Sequence, residues 1–444
     1  MRPNPPAPFW IFALALCLVP LATAFAQEPA ATAAPAAASA AAAATAFDPI
    51  AATESYLARM SPEQRERSDA YFEGGYWIQL WGFLYGLGVA VLLLFTGLSA
   101  RLRDLARGRR RRPALATALY WCLYLPATTL LAFPLTVYTD FFREHRYGLA
   151  TQTFGAWLGD QAKGLGVGLV MGALFLPLLY AIFRRLPHRW PLWGAVAGVG
   201  FLMFGSLVAP VFIFPVFNEY KPLADEQVEA PILSLARANG IPVSEVWEVD
   251  ASRQTTRVSA NVSGFLGTER ITLNDNLLNR STLPEIEAVM AHEMGHYVLN
   301  HVYEGILEFG LVIVAGFFFL RRGMDWALAR WGARWRLEGV ADPASLPLLV
   351  AVFSVFFFVM TPVTNTIIRV NEAEADIFGL NAAGQPDGFA EAALKLGEYR
   401  KMAPGPLEEA LLFDHPSGRS RILMAMRWKA EHGAAGRAET APPH

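Results

Sequence analysis

The chain is built from long apolar blocks separated by shorter polar ones. Runs free or nearly free of charge extend over residues 77–99, 114–138, 165–183, 191–214 and 346–368. As helices rising about 1.5 Å per residue, each reaches across roughly 30 Å of bilayer hydrocarbon. Residues 302–320 form a sixth run, interrupted by Glu304 and Glu308. If this run spans, its carboxylates must face a wet interior, because an ionisable group in hydrocarbon is costly.

The pattern changes after residue 214. Residues 218–239 read as a loop and an amphipathic helix, with Ile232, Leu233 and Leu235 among small and polar residues, closed by Gly240 and Pro242. Residues 246–249, 257–262 and 270–274 are short strand-like runs separated by polar or glycine-containing turns, which predicts a small sheet. At the other end, Arg2 precedes an apolar run over residues 9–22, and Ala24-Phe25-Ala26 offers a small-x-small cleavage site before Gln27. That is the pattern of a secretory signal peptide or an uncleaved signal anchor, and either one exports the residues after it. Residues 28–46 are almost entirely Ala, Pro and Thr, the composition of a disordered linker. Ser61-Pro62-Glu63-Gln64 then opens a polar helix that leads toward the first full span.

Composition sharpens this picture. Only 17% of the 444 residues are charged, against about 25% in an average soluble chain, so the groups that face water are scarce. A net charge of −2 gives no basic surface for nucleic acid. The two cysteines, Cys17 and Cys122, both sit in apolar stretches and supply neither a disulfide framework nor a thiolate metal site. Any metal must therefore be held by histidine and carboxylate.

Arginine orients the spans. Arg101, Arg103, Arg107 and the run at 109–112 lie between the first two full spans, Arg184, Arg185 and Arg189 between the third and fourth, and Arg321, Arg322, Arg330, Arg334 and Arg336 between the last two. Counting spans puts all three loops on one side, which the positive-inside rule makes cytoplasmic. The polar segment between the fourth and fifth spans then lies on the opposite side, the periplasm of a bacterial inner membrane.

That segment carries chemistry. His292-Glu293-x-x-His296 follows a Thr282/Glu285 capping box with Pro284 in the first turn, and Ile286, Val289 and Met290 recur at helical spacing. Imidazoles four residues apart on one helix face can share a metal ion, with Glu293 beside it to take a proton from water and hand it to a leaving amine. Catalytic zinc takes three protein ligands. Glu372 is the candidate third, with Asp376 one turn on, placed to hydrogen-bond a liganding imidazole. Glu374 points elsewhere and reads as solvated. A strand edge beside the metal helix would let an extended substrate add itself to the sheet.

His292-Glu293-Met294-Gly295-His296 followed by Glu372 and Ala375-Asp376 resembles the type-1 CAAX prenyl endopeptidases, integral-membrane zinc metalloproteases, and more distantly the HtpX stress proteases. The likeness includes Glu144, Gly148, Thr153 and Asp160, the runs Pro215 to Asn218 and Pro222-Leu223, Ala260-Asn261 with Gly264-Phe265, Asn365 and Arg369, and His415-Pro416 with Arg421. It implies a mainly α membrane protein: a multi-span helical barrel around a water-filled chamber, with a zincin-type catalytic domain carrying a small β-sheet. It further implies that His292, His296 and Glu372 bind one Zn²⁺, that Glu293 activates water, that Asp376 supports the site, and that His415 and Arg421 approach the substrate carbonyl.

The expected layout is a signal segment (1–26), a linker and polar helix (27–70), four spans (71–216), a catalytic domain with the zinc helix (217–301), two further spans (302–368), completion of the catalytic domain (369–432) and a disordered tail (433–444). The expected function is a membrane-embedded zinc metalloendopeptidase cutting membrane-associated polypeptides, its partners being the substrate chain and the bilayer, with no nucleic acid. An HtpX-like quality-control protease, a non-proteolytic zinc-binding scaffold and a transporter are the alternatives. The sequence sets no oligomeric state. It departs from the resemblance in its N-terminal segment, and in placing the site away from the cytosol, where prenylated CAAX proteins are found.

Overall fold

A computed structural model describes residues 47–108, 112–263 and 269–439. The signal segment, the Ala/Pro stretch and Gly264-Phe265 lie outside the described residues. Helix α1 (Pro49–Leu57) starts at Asp48, whose side chain accepts from the Ile50 amide, and α2 (Pro62–Phe95) starts at the Ser61/Gln64 capping box. Gly97 adopts φ +68° and ends that helix four residues short of the expected 99, because its carbonyl turns to accept from Arg336. The chain restarts as amphipathic α3 (Leu98–Arg107). Next come α4 (Pro113–Thr136), which continues through a π-helical turn to Arg146, α5 (Phe154–Arg185), and α6 (Trp190–Val208), which continues likewise to Phe217.

The polar segment holds β1 (Tyr220–Pro222), α7 (Glu226–Ala238), β2 (Val246–Val249), β3 (Ala260–Ser263), β4 (Arg270–Asn274), α8 (Asp275–Arg280) and α9 (Leu283–Val298). The sheet order is β1-β2-β4-β3, with β2 parallel to β4 and β3 antiparallel to it at one edge. Strand β3 begins at Ala260 rather than at the expected 257, because the side-chain amides of Asn274 and Asn276 take the Arg257 carbonyl that a ladder would have used. Strand β1 was not expected; three residues are too few for alternation to register. Ile232, Val246, Ile271, Leu273, Leu277, Ile286, Met290 and Met294 close one core beneath α7, the sheet and α9.

Two long helices follow, α10 (His301–Trp331) and α11 (Leu346–Ala383), then α12 (Pro386–Leu396), α13 (Pro406–Leu412) and α14 (Gly418–Glu439). Helix α14 runs through the first residues of the expected tail. Among the described residues six helices are long and apolar enough to cross a membrane, matching the six runs read from the sequence. Leu174, Phe212, Leu307 and Val359 on them are more exposed than buried, an arrangement suited to a lipid surround and not to water.

The arginine loops meet at one end of this bundle. Buried Arg103 donates to Asp342 (2.6 Å) and to the Arg336 carbonyl (2.9 Å), and Arg321 donates to the His188 carbonyl (2.7 Å). The helix that carries Glu372 starts at this end and extends beyond 25 residues before that carboxylate, about 39 Å of rise, which puts the metal-ligand candidates at the other end.

Candidate active site

The site forms where α9 crosses α11, and small residues let the two backbones touch. A Cβ on Gly379 would stand 2.9 Å from the His292 nitrogen, and one on Gly295 would stand 3.1 Å from the Ala375 Cα. Only glycine permits that approach at these positions. The close crossing brings His292 and His296 on α9 against Glu372 and Asp376 on α11.

The His292 and His296 Nε2 atoms are 3.3 Å apart. Glu372 places Oε2 3.3 Å from the first and Oε1 3.6 Å from the second. A tetrahedral ion with ligand bonds of about 2.0–2.1 Å has edges of about 3.4 Å, so these donors fit one zinc-sized ion. Glu372 Oε2 is also buried without a hydrogen-bond partner among the described residues, an acceptor that calls for a cation.

The surroundings set the tautomers. Asp376 Oδ1 lies 2.7 Å from His292 Nδ1, so Nδ1–H donates and Nε2 keeps a lone pair for metal. Burial opposes a charge on His292, but the Asp376 and Glu372 carboxylates beside it outweigh burial and raise the imidazole to about 9; a metal must displace that proton. Burial and then the charge on His292 push His296 down to about 2, leaving it neutral, the form that binds metal.

Behind His296 stands His301, which the sequence reading did not select. The two Nδ1 atoms are 2.9 Å apart, and His301 Nε2 lies 3.3 Å from Glu374 Oε2. Glu374, read as solvated, is half-exposed yet anchors this chain of rings. Asn300, at φ +61°, was the available signal: its left-handed turn between α9 and α10 swings His301 back toward His296.

Glu293 is buried next to His292 on α9. His415 Nδ1 is 2.8 Å from Asp414 Oδ1, while its Nε2 stands 3.3 Å from Glu372 Oε1, buried and facing the metal position. Arg421 is also buried at the site. It donates to Asp376 beside His292 and lies over the Phe389 ring, on α14 where that helix meets α11. Strand β3 packs along α9, and its Asn261 Oδ1 is buried without a partner among the described residues.

Residues 222–429 match the family model of peptidase family M48, and residues 51–219 match that of the CAAX prenyl protease N-terminal region with five membrane helices. A metalloprotease of Bacillus subtilis, uncharacterized YhfN, is 31% identical over 351 residues, covering 77% of this chain and 82% of that one. The chain belongs to peptidase family M48. CAAX prenyl protease 1 of Saccharomyces cerevisiae is 28% identical over 316 residues, 66% of this chain and 68% of that one. The crystal structure of S. mikatae Ste24p superposes with a TM-score of 0.69 at 22% identity, covering 83% of this chain and 89% of that one, and so shares the fold. The chain is thus an integral-membrane metalloprotease of the M48/CAAX prenyl protease family, with the barrel-and-small-sheet architecture that the motif pattern implied.

Proposed function

We propose that this membrane metalloprotease is a zinc endopeptidase acting at the periplasmic face of a bacterial inner membrane on membrane-associated polypeptides. One observation carries the reading: two imidazoles and a carboxylate stand at the edge lengths of a zinc tetrahedron, with Glu293 buried beside them. The donor set, two nitrogens and one oxygen without thiolate, is that of a hydrolytic zinc site with one position left for water.

When bound, the ion supplies a Lewis acid and a water whose pKa falls to about 7. Glu293 then takes the proton of the attacking water and delivers it to the departing amine. His415 turns Nε2 toward the same space and donates to the carbonyl oxygen as charge builds there, a role worth about 3 kcal/mol. Asp376 holds His292 in its ligating tautomer, and Arg421 holds Asp376. The main chain of β3, at the sheet edge, is where an extended substrate would add itself.

The relatives are named for CAAX prenyl processing, but the arginine-rich end of the bundle lies opposite this site. Clipping of exported or misfolded membrane polypeptides suits that orientation better than cytosolic prenyl-protein maturation. The test is Glu293→Gln in the full chain. Zinc stoichiometry stays at one while cleavage is lost, and N-terminal labelling of the membrane proteome shows which new termini vanish. Cleavage that survives in the Gln variant would dismiss Glu293 as the base.

A further inference from the structure

We infer that Arg369 and Glu409 are positioning residues that clamp the two ends of the loop carrying His415, and so set where its imidazole meets the substrate. The inference rests on the reading of His415 given above.

Arg369 sits on α11, three residues before Glu372. Its Nη1 donates to the Glu409 carbonyl (2.9 Å) and the Phe413 carbonyl (2.6 Å), and its Nη2 donates to the Ala410 carbonyl (3.3 Å). One turn earlier, Asn365 Nδ2 donates to the Leu411 carbonyl (3.2 Å). These acceptors belong to the last turn of α13 and its C-cap; the Glu409 carbonyl also accepts from the Phe413 amide, while those of Ala410, Leu411 and Phe413 are ones a helix end leaves without internal partners, and a cation there meets the negative end of the helix dipole. The guanidinium fork thus fixes the residue from which the chain leaves toward Asp414 and His415.

Glu409 fixes the other end. Its carboxylate accepts from the Ser417 amide (2.8 Å) and the Ser420 hydroxyl (3.3 Å). The same residue therefore gives its main-chain oxygen to Arg369 and its side chain to the far side of the loop. Only Asp414, His415 and Pro416 lie between the two pinned points, and the proline ring removes one more backbone freedom.

The consequence is mechanical coupling. Glu372 and Arg369 lie on one rigid helix, one turn apart, so the third ligand and the loop bearing His415 are referenced to the same rail. A donor to developing charge must be held within about 0.5 Å to be useful. The His415 ring has two side-chain contacts, Asp414, which rides on the same loop, and Glu372 at 3.3 Å, the group it must stand beside, so the loop's own anchors set its approach.

The experiment uses the full-length zinc-loaded protein in detergent, with dye-quenched casein as the probe and diethyl pyrocarbonate labelling of His415, read by mass spectrometry, as a measure independent of turnover. Arg369→Ala and Glu409→Ala are each expected to lower kcat about 10-fold with KM and zinc stoichiometry unchanged, a loss typical of a misplaced catalytic donor. Both raise labelling of His415, which is buried in the wild type. Glu409→Gln, which keeps the accepting oxygen, restores kcat. In a His415→Ala background, adding Arg369→Ala changes kcat by less than about 2-fold, because residues acting through one group are not additive. An equal further loss in that background, or unchanged His415 labelling in both alanine variants, overturns the clamp. If His415→Ala alone leaves kcat intact, the catalytic reading of His415 fails instead, and the labelling arm still decides whether the loop is clamped.

Discussion

His296 and His301 face each other Nδ1 to Nδ1 at 2.9 Å. Two lone pairs cannot meet at that distance, so one nitrogen carries the proton. In the proposed zinc site Nε2 of His296 would be committed to metal, which makes its Nδ1–H the donor and His301 Nδ1 the acceptor, and leaves His301 Nε2–H to point at Glu374. A carboxylate thus reaches a proposed metal ligand through an intervening ring.

Breaking that chain should loosen the metal before it touches the chemistry. His301→Ala is expected to weaken zinc binding about 10–100-fold, the usual cost of removing a partner of a liganding histidine. Competition with a fluorescent chelator measures it, and turnover at saturating zinc should stay within about 3-fold of wild type on the same grounds. Unaltered zinc affinity would remove His301 from the site.

The helix crossing makes a different demand. An added methyl at Gly379 meets the His292 backbone, so Gly379→Ala should push α9 from α11 at a cost of about 1–3 kcal/mol. Zinc retained after dialysis should drop along with thermal stability, whereas Gly240→Ala, at a turn with open space but positive φ, should lower stability without loss of zinc. Full zinc occupancy in Gly379→Ala would show that the crossing has slack.

Buried charge gives an ordering of variants. Arg421 and Asp376 are 4% and 0% exposed, and breaking such a pair costs about 3–5 kcal/mol because a charge is left buried alone. Asp376 also holds His292, so Arg421→Met should be the milder change and Asp376→Leu the more severe. The double variant should unfold at a higher temperature than Asp376→Leu alone. Equal midpoints for that variant and the double would mean that Arg421 finds another partner.

Orientation has its own test. A reporter fused after His444 is expected to read outside the cytoplasm, since six crossings return an exported start to the same side. A cytoplasmic signal would reverse the compartment while leaving the zinc geometry intact.

By itself, the sequence determined whatever depends on near neighbours. Six spans follow from how many apolar residues stand in a row, and the spacing of His292 and His296 follows from the pitch of a helix, with Thr282 and Glu285 marking its start. Strands β2 and β4 appeared at the residues expected, while β3 lost its first residues to side chains of Asn274 and Asn276 that alternation cannot report. Tertiary structure alone decided which groups meet. Glu372 reaches the histidines because Gly295 and Gly379 let two remote helices touch, His301 is folded back by one left-handed residue, and Arg421 meets Asp376. Covalent geometry fixes the first kind of information within a few residues. The second is set by packing between segments that the chain keeps far apart, and no local pattern encodes it.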